Sequence, residues 1–151
     1  MLPRYRACPP RSRGFVRLAS ADLADAPLID PRYYEEATDR ELLVEGLRRA
    51  LAIGDAAAMR AFGGPPPSPV ASDDGALMAS ARTSTVSYNH PAGTCRSGID
   101  GASVVDAQLG VHGIRGLRVA DASVMPALPR AHLHAPSIMI GERAAGLIHA
   151  G

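Results

Sequence analysis

His90-Pro91-Ala92-Gly93-Thr94-Cys95-Arg96-Ser97-Gly98 is the first of three segments whose reading decides the fold. The second is Gly116-Leu117-Arg118-Val119-Ala120-Asp121-Ala122-Ser123-Val124-Met125-Pro126, and the third opens His132-Leu133-His134-Ala135-Pro136-Ser137-Ile138. A residue before proline is pushed out of the α region, so His90 lies on extended backbone at a bend. Leu117 to Asp121 reads as a strand of the buried type, bounded by Gly116 and a polar turn. Pro136 to His149 reads as a helix, with Pro136 in the first turn, where no amide hydrogen is needed. Ile138, Met139, Ile140, Ala144, Ala145, Leu147 and Ile148 make that helix apolar over most of its girth, which predicts burial.

Outward from these segments the pattern is mixed. Residues 1–13 are rich in Pro and Arg and read as irregular. Gly14 to Ser20 alternates as a short strand does, and Pro27-Leu28-Ile29-Asp30-Pro31 is extended and turn-bounded. Thr38 or Asp39 is placed to cap a helix, with Glu41 and Glu45 near its positive end. Leu43, Leu47, Ala50 and Leu51 then recur at helical spacing, widened by Leu42, Val44 and Ile53. That helix is expected to run to about Phe62 with a break at Gly54. Residues 63–69 form a proline-rich connecting loop. Ser72-Asp73-Asp74 caps a second helix over about 73–83. Val86 to Tyr88 and Val104 to Asp106 read as brief extended pieces. Helices and strands without regular βαβ alternation argue an α+β fold.

Bulk properties narrow the function classes. A length of 151 residues fits one domain with a real core, and 46% hydrophobic with 21% charged residues is a globular balance. The net charge of +1 leaves no broad footprint for nucleic acid or an anionic membrane. All 16 basic residues are arginine, in a chain also rich in Ala, Gly and Pro, as coding bias in a GC-rich genome would give. Cys8 and Cys95 sit in no disulfide or metal spacing, so a reduced, cytoplasmic setting is the default expectation. No stretch approaches the ~20 apolar residues of a membrane span, and no secretory signal is read at the start.

The candidate chemistry lies on the histidines. His90 is pinned beside a bend, as a positioned base requires. Of His132 and His134, only one need face it. His112 lies in a Gly-flanked loop and is expected to be solvated; His149 complements the negative end of the last helix. His132 and His134 also suit a metal, completed by His90, Cys95 or Asp121. There is no G-x-S-x-G elbow of a serine hydrolase and no G-x-x-x-x-G-K-[ST] phosphate cradle.

Together the three segments resemble the carboxyl-terminal region of the glucose–methanol–choline (GMC) flavin oxidoreductases. Pro10-Arg11-Ser12-Arg13-Gly14, Ser20-Ala21-Asp22, Pro27 to Pro31 and Leu43-Val44-Glu45-Gly46 are similar to the entry of the same region, so the resemblance covers nearly the whole chain. It implies an antiparallel sheet with helices forming the substrate-binding domain, plus the last strand and helix of the FAD-binding domain. It implies that His90 is the base on a substrate hydroxyl and that His132 is the second active-site position, here of the His/His type. It implies that Asp121 and Ala122 meet the flavin, and that His134, Ala135 and Pro136 run under its ring into the last helix. The chemistry implied is oxidation of a small-molecule alcohol, its hydroxyl proton going to imidazole while hydride goes to flavin N5. Imidazole, with an ordinary pKa of about 6.5, suits that exchange.

The chain departs from the family's pattern in places. Ser97 stands where Met is usual, and His134 where Asn is common. Arg130 could face an anionic substrate or solvent. No G-x-G-x-x-G of a dinucleotide-binding unit occurs, and 151 residues leave no room for that domain. The expectation is therefore a chain that binds FAD weakly or not at all alone and completes its site with an amino-terminal FAD-binding half.

Overall fold

A computed structural model describes residues 9–62 and 73–150. Cys8, the expected proline-rich loop over residues 63–69, and Ser72 lie outside the described residues. The chain divides into two compact units, Met1–Val86 and Ser87–Gly151. Helices with one small antiparallel sheet make the fold α+β.

In the first unit, β1 (Phe15–Arg17) pairs antiparallel with β2 (Leu28–Asp30), Phe15 opposite Asp30 and Arg17 opposite Leu28. Both strands fall inside the segments read as extended. A Cβ on Gly14 would lie 2.1 Å from the Asp30 carbonyl oxygen, so the hairpin closes only over a glycine.

The first helix, α1 (Ala37–Gly54), starts before Thr38 and has no side-chain cap at Glu36. This corrects the expectation that Thr38 or Asp39 caps it. The Asp39 carboxylate turns back instead to the preceding segment. It accepts from the Arg11 N–H (2.9 Å), the Ser12 N–H (2.7 Å) and the Ser12 hydroxyl (2.5 Å). Burial alone pushes the Asp39 carboxyl up, but these hydrogen bonds and the nearby Arg13 charge outweigh it and hold it below the usual carboxylate value. The helix breaks after Gly54, as expected, and a short α2 (Ala57–Arg60) follows.

Helix α3 (Asp74–Ser84) is capped by Asp73, whose carboxylate accepts from the Ala76 N–H at 3.0 Å. Helices α1 and α3 pack together, and Val44 and Ala50 on α1 and Leu77 and Ala81 on α3 are buried. Leu43, Leu47 and Leu51 are only half-buried, so the buried line runs through the smaller residues of α1. Arg48 pairs with Asp74 across the two helices.

The second unit has little regular structure besides α4 (His134–His149). The strand expected over Leu117–Asp121 is absent. Val111 N–H donates to the Leu117 carbonyl (3.0 Å) and Val119 N–H to the Leu109 carbonyl (3.1 Å), which leaves one isolated bridge, Gly110 to Arg118. Leu117 is exposed, and residues 117–119 pair through two hydrogen bonds with residues 109–111, too short a ladder to be a strand.

Helix α4 begins two residues before the expected Pro136, which does lie in its first turn. Only Ile140 and Ala144 are buried on it, while Ile138, Met139 and Ile148 are more than half exposed. The expectation of burial around the girth is thus corrected: an i, i+4 stripe meets the core and the remaining faces do not. That core is Val105, Leu109, Val124, Met125, Leu133, Ile140 and Ala144, with Val105 fully buried. No described helix is long and apolar enough to cross a membrane.

Candidate functional site

The site is built wholly within the second unit. Its first arm is the segment Ser87 to Ser97. Asn89 adopts a left-handed conformation (φ 57°), which Asn tolerates better than most residues. Its N–H donates to the Ser87 hydroxyl at 3.1 Å. Pro91 then restricts His90 to extended backbone. Beyond Pro91, alternate amides of Gly93, Cys95 and Ser97 donate to the carbonyls of Ala122, Ser123 and Val124, at 3.3, 3.0 and 2.9 Å. This arm is therefore fixed, residue by residue, to the turn that follows Asp121. Gly93 has φ +84°, and a Cβ there would lie 3.2 Å from the Met125 carbonyl oxygen, so this contact favours glycine.

The second arm is the entry to α4. Leu133 occupies the N-cap position and is buried in the core, only 5% exposed. Its carbonyl accepts from the Ser137 N–H (2.9 Å) and hydroxyl (2.7 Å). His132, next to this anchor, points its ring back at the first arm.

The two arms meet ring to ring. His90 Nε2 lies 2.7 Å from His132 Nδ1, with ring centroids 5.0 Å apart and planes at 88°. His90 Nδ1 lies 2.7 Å from the Asn89 carbonyl oxygen. Tyr88 stands edge-on to His90 at 5.5 Å and tilted to His132 at 5.6 Å. His90 is half-buried; His132 and Tyr88 are exposed, so the pair is open to a small molecule. The structure thus brings together the two histidines singled out in the sequence. Tyr88 was missed as a neighbour: the left-handed turn at Asn89 that brings its ring to the pair has no counterpart in strand periodicity. Asn89 was missed too; its preference for the left-handed region was the available signal.

The other predicted residues border this pair in sequence. Asp121 caps a 3₁₀ turn over Ala122–Val124, accepting from the Ser123 N–H at 2.7 Å. Hydrogen bonds from Ser123, side chain and backbone, hold its carboxyl below the usual value against the smaller opposing effect of burial. That turn touches α4. Ala122 and Pro136 are half-buried, while His134 and Ala135 are exposed in the first turn of α4. No side chain caps that turn, which leaves the amides of His134 and Ala135 without a side-chain acceptor.

His112 is exposed, but its Nε2 also lies 3.1 Å from the Gly98 carbonyl oxygen, so it braces a loop in addition to meeting solvent. Among the described residues no group of three His, Cys, Asp or Glu side chains is placed to hold a metal ion, so His132 and His134 find no third ligand there.

Comparison with known proteins shows the chain's family. The profile of the GMC oxidoreductase family matches residues 10–141. An uncharacterized GMC-type oxidoreductase of Mycobacterium tuberculosis is 46% identical over 144 residues, covering 92% of this chain and 27% of that one. An alcohol dehydrogenase [acceptor] of Pseudomonas putida is 43% identical over 141 residues, covering 92% of this chain and 26% of its own. Among solved structures, an FAD-dependent oxidoreductase from Chaetomium thermophilum superposes with a TM-score of 0.82 at 30% identity, over 93% of this chain and 25% of that one. The chain spans about a quarter of the length of the curated relatives it matches. With that match laid over the paired histidines and the turns that hold them, the chain belongs to the GMC oxidoreductase family.

Proposed function

We propose that this chain is the alcohol-handling part of an FAD-dependent oxidoreductase acting on a CH–OH group. His90 is its base and His132 the donor that holds the substrate oxygen. The observation that carries this reading is the 2.7 Å bond between two solvent-accessible imidazoles, each fixed on a separately anchored arm.

An alcohol oxygen has the same valences as that bond. Its O–H donates to His90 Nε2 while its lone pairs accept from His132 Nδ1–H. Substrate therefore binds by replacing the ring–ring hydrogen bond. As the proton moves to His90, the N–H of His132 meets the negative charge growing on oxygen. Tyr88 walls the pair and restricts the directions of approach. The product is the carbonyl compound, the hydroxyl proton resting on His90.

FAD, when bound, supplies the hydride acceptor. The residues present fit such a group. The uncapped amides of His134 and Ala135 give the end of α4 a positive character, and Ala122, Ala135 and Pro136 carry no long side chain. Asp121 holds the adjoining turn. In this reading the 109–119 ladder and α4 belong to the flavin-binding side of the protein, and an amino-terminal FAD-binding part supplies the rest of the grip. Alone, the chain binds FAD more weakly than low micromolar and does not turn over.

The test joins this chain to the remaining part of the Chaetomium FAD-dependent oxidoreductase in place of that enzyme's own matching quarter. A chimera that loads FAD should lose its flavin colour on adding an alcohol without oxygen. His90→Ala should slow that step by roughly 10²–10⁴-fold. An unchanged rate in His90→Ala would reject the reading.

A further inference from the structure

We propose that Asn89 is a positioning residue for the histidine pair: its backbone carbonyl fixes the tautomer of His90 and so decides which ring accepts and which donates. The inference deepens the reading of His90 and His132 as an alcohol site and rests on it for its functional meaning.

The argument is one of proton counting. A carbonyl oxygen can only accept, so the 2.7 Å contact from His90 Nδ1 to the Asn89 oxygen places a hydrogen on Nδ1. A neutral imidazole carries one N–H, so Nε2 of His90 is then a bare lone pair. The 2.7 Å contact between the rings needs one hydrogen, and with His90 Nε2 bare it must come from His132 Nδ1. The second ring is fixed by the first. The pair therefore rests as acceptor at His90 and donor at His132, the polarity that an alcohol O–H requires. With the hydrogen on His90 Nε2 instead, the polarity would reverse and the base would be blocked.

Asn89 presents this carbonyl through its left-handed backbone (φ 57°), and the Ser87 hydroxyl secures its N–H. Glycine and asparagine take that conformation readily; a β-branched residue does not. The side chain at 89 thus acts through backbone geometry and does not itself meet the substrate.

The test is long-range ¹⁵N–¹H NMR on the full chain, carrying ¹⁵N-labelled histidine, at a pH where both rings are neutral. The expected wild-type spectrum shows a protonated Nδ1 and bare Nε2 for His90, and a protonated Nδ1 for His132. Asn89→Gly should keep this pattern, and Asn89→Val should convert His90 to a mixture containing the Nε2–H form. A His90 protonated at Nε2 in the wild type would overturn the proposal, as would unchanged tautomers in a cooperatively melting Asn89→Val. If the valine variant does not fold, the wild type and Asn89→Gly decide: loss of the pattern in either counts against the lock. The two readings fail separately. The expected tautomers in a chain whose chimera oxidises no alcohol would sink the functional reading alone, while oxidation with the opposite tautomers would sink the lock alone.

Discussion

Among the described residues, the unit up to Val86 holds both strands and three of the four α-helices, yet its buried hydrophobic residues are few and mostly small: Val44, Ala50, Leu77 and Ala81. The unit from Ser87 has one long helix and many turns, yet it buries Val105, Leu109, Val124, Met125, Leu133 and Ile140 in a single cluster. It is also the unit that holds two imidazoles at hydrogen-bond distance. Regular structure and positional precision are separable here. Each histidine is fixed by one neighbour locked in place: the backbone stitched beyond Pro91 for His90, and the buried Leu133 for His132. In the first unit, Leu18 and Leu23, on the connection between β1 and β2, are 77% and 95% exposed and add nothing to a core.

The contrast can be broken from either side. Leu133→Ala removes the anchor beside His132 and should cost about 2–5 kcal/mol. Hydrogen exchange should then rise across the second unit while α1 keeps its protection, and His132 should lose its coupling to His90. Equal loss of protection in α1 would show that the two units do not melt separately.

On the other side, Asp39→Asn removes a charged acceptor from three hydrogen bonds and should cost about 1–3 kcal/mol, read as amide exchange in α1. Its pH dependence has a defined sign. The folded carboxyl titrates below the ordinary value of 3.8, so its stabilisation is complete above about 3.8 and is lost as the pH falls through the lower folded value. The melting temperature of the wild type should drop in that acid window, and the drop should be smaller in Asp39→Asn.

Gly93→Ala forces a side chain into a left-handed residue beside the Met125 carbonyl and should cost about 1–2 kcal/mol. Because Gly93 belongs to the stitched arm, a loss confined to the second unit is expected by urea titration. Arg48→Ala removes an exposed ion pair between α1 and α3 and should cost under about 1 kcal/mol, with the difference shrinking in high salt.

Much of this was legible in the sequence where local rules act alone. The strand near Phe15, the break at Gly54, the cap at Asp73 and the proline in the first turn of α4 follow from turn, cap and proline chemistry. The misreadings share one cause: tertiary context. Asp39 looked like a helix cap because its type and position suit one, but Arg11 and Ser12, more than 25 residues earlier, claim its oxygens. Leu117 to Asp121 reads as a buried-type strand, but such a strand needs neighbours and only residues 109–111 lie alongside. The apolar girth of α4 announced burial that its own unit supplies on one stripe only. His90 and His132 were found through a family resemblance. Nothing in a 42-residue separation shows that two rings touch, and the Asn89 carbonyl that orients them carries no side-chain signature.

The central claim is that His90 and His132 act as one device on the alcohol oxygen. A double-mutant cycle on alcohol-driven flavin reduction in the FAD-loaded chimera tests it most directly, comparing His90→Ala, His132→Ala and the double variant. Groups that act as a unit are strongly non-additive, so the double variant should be about as slow as His90→Ala alone. Losses that multiply, or single variants as fast as the parent, would contradict it.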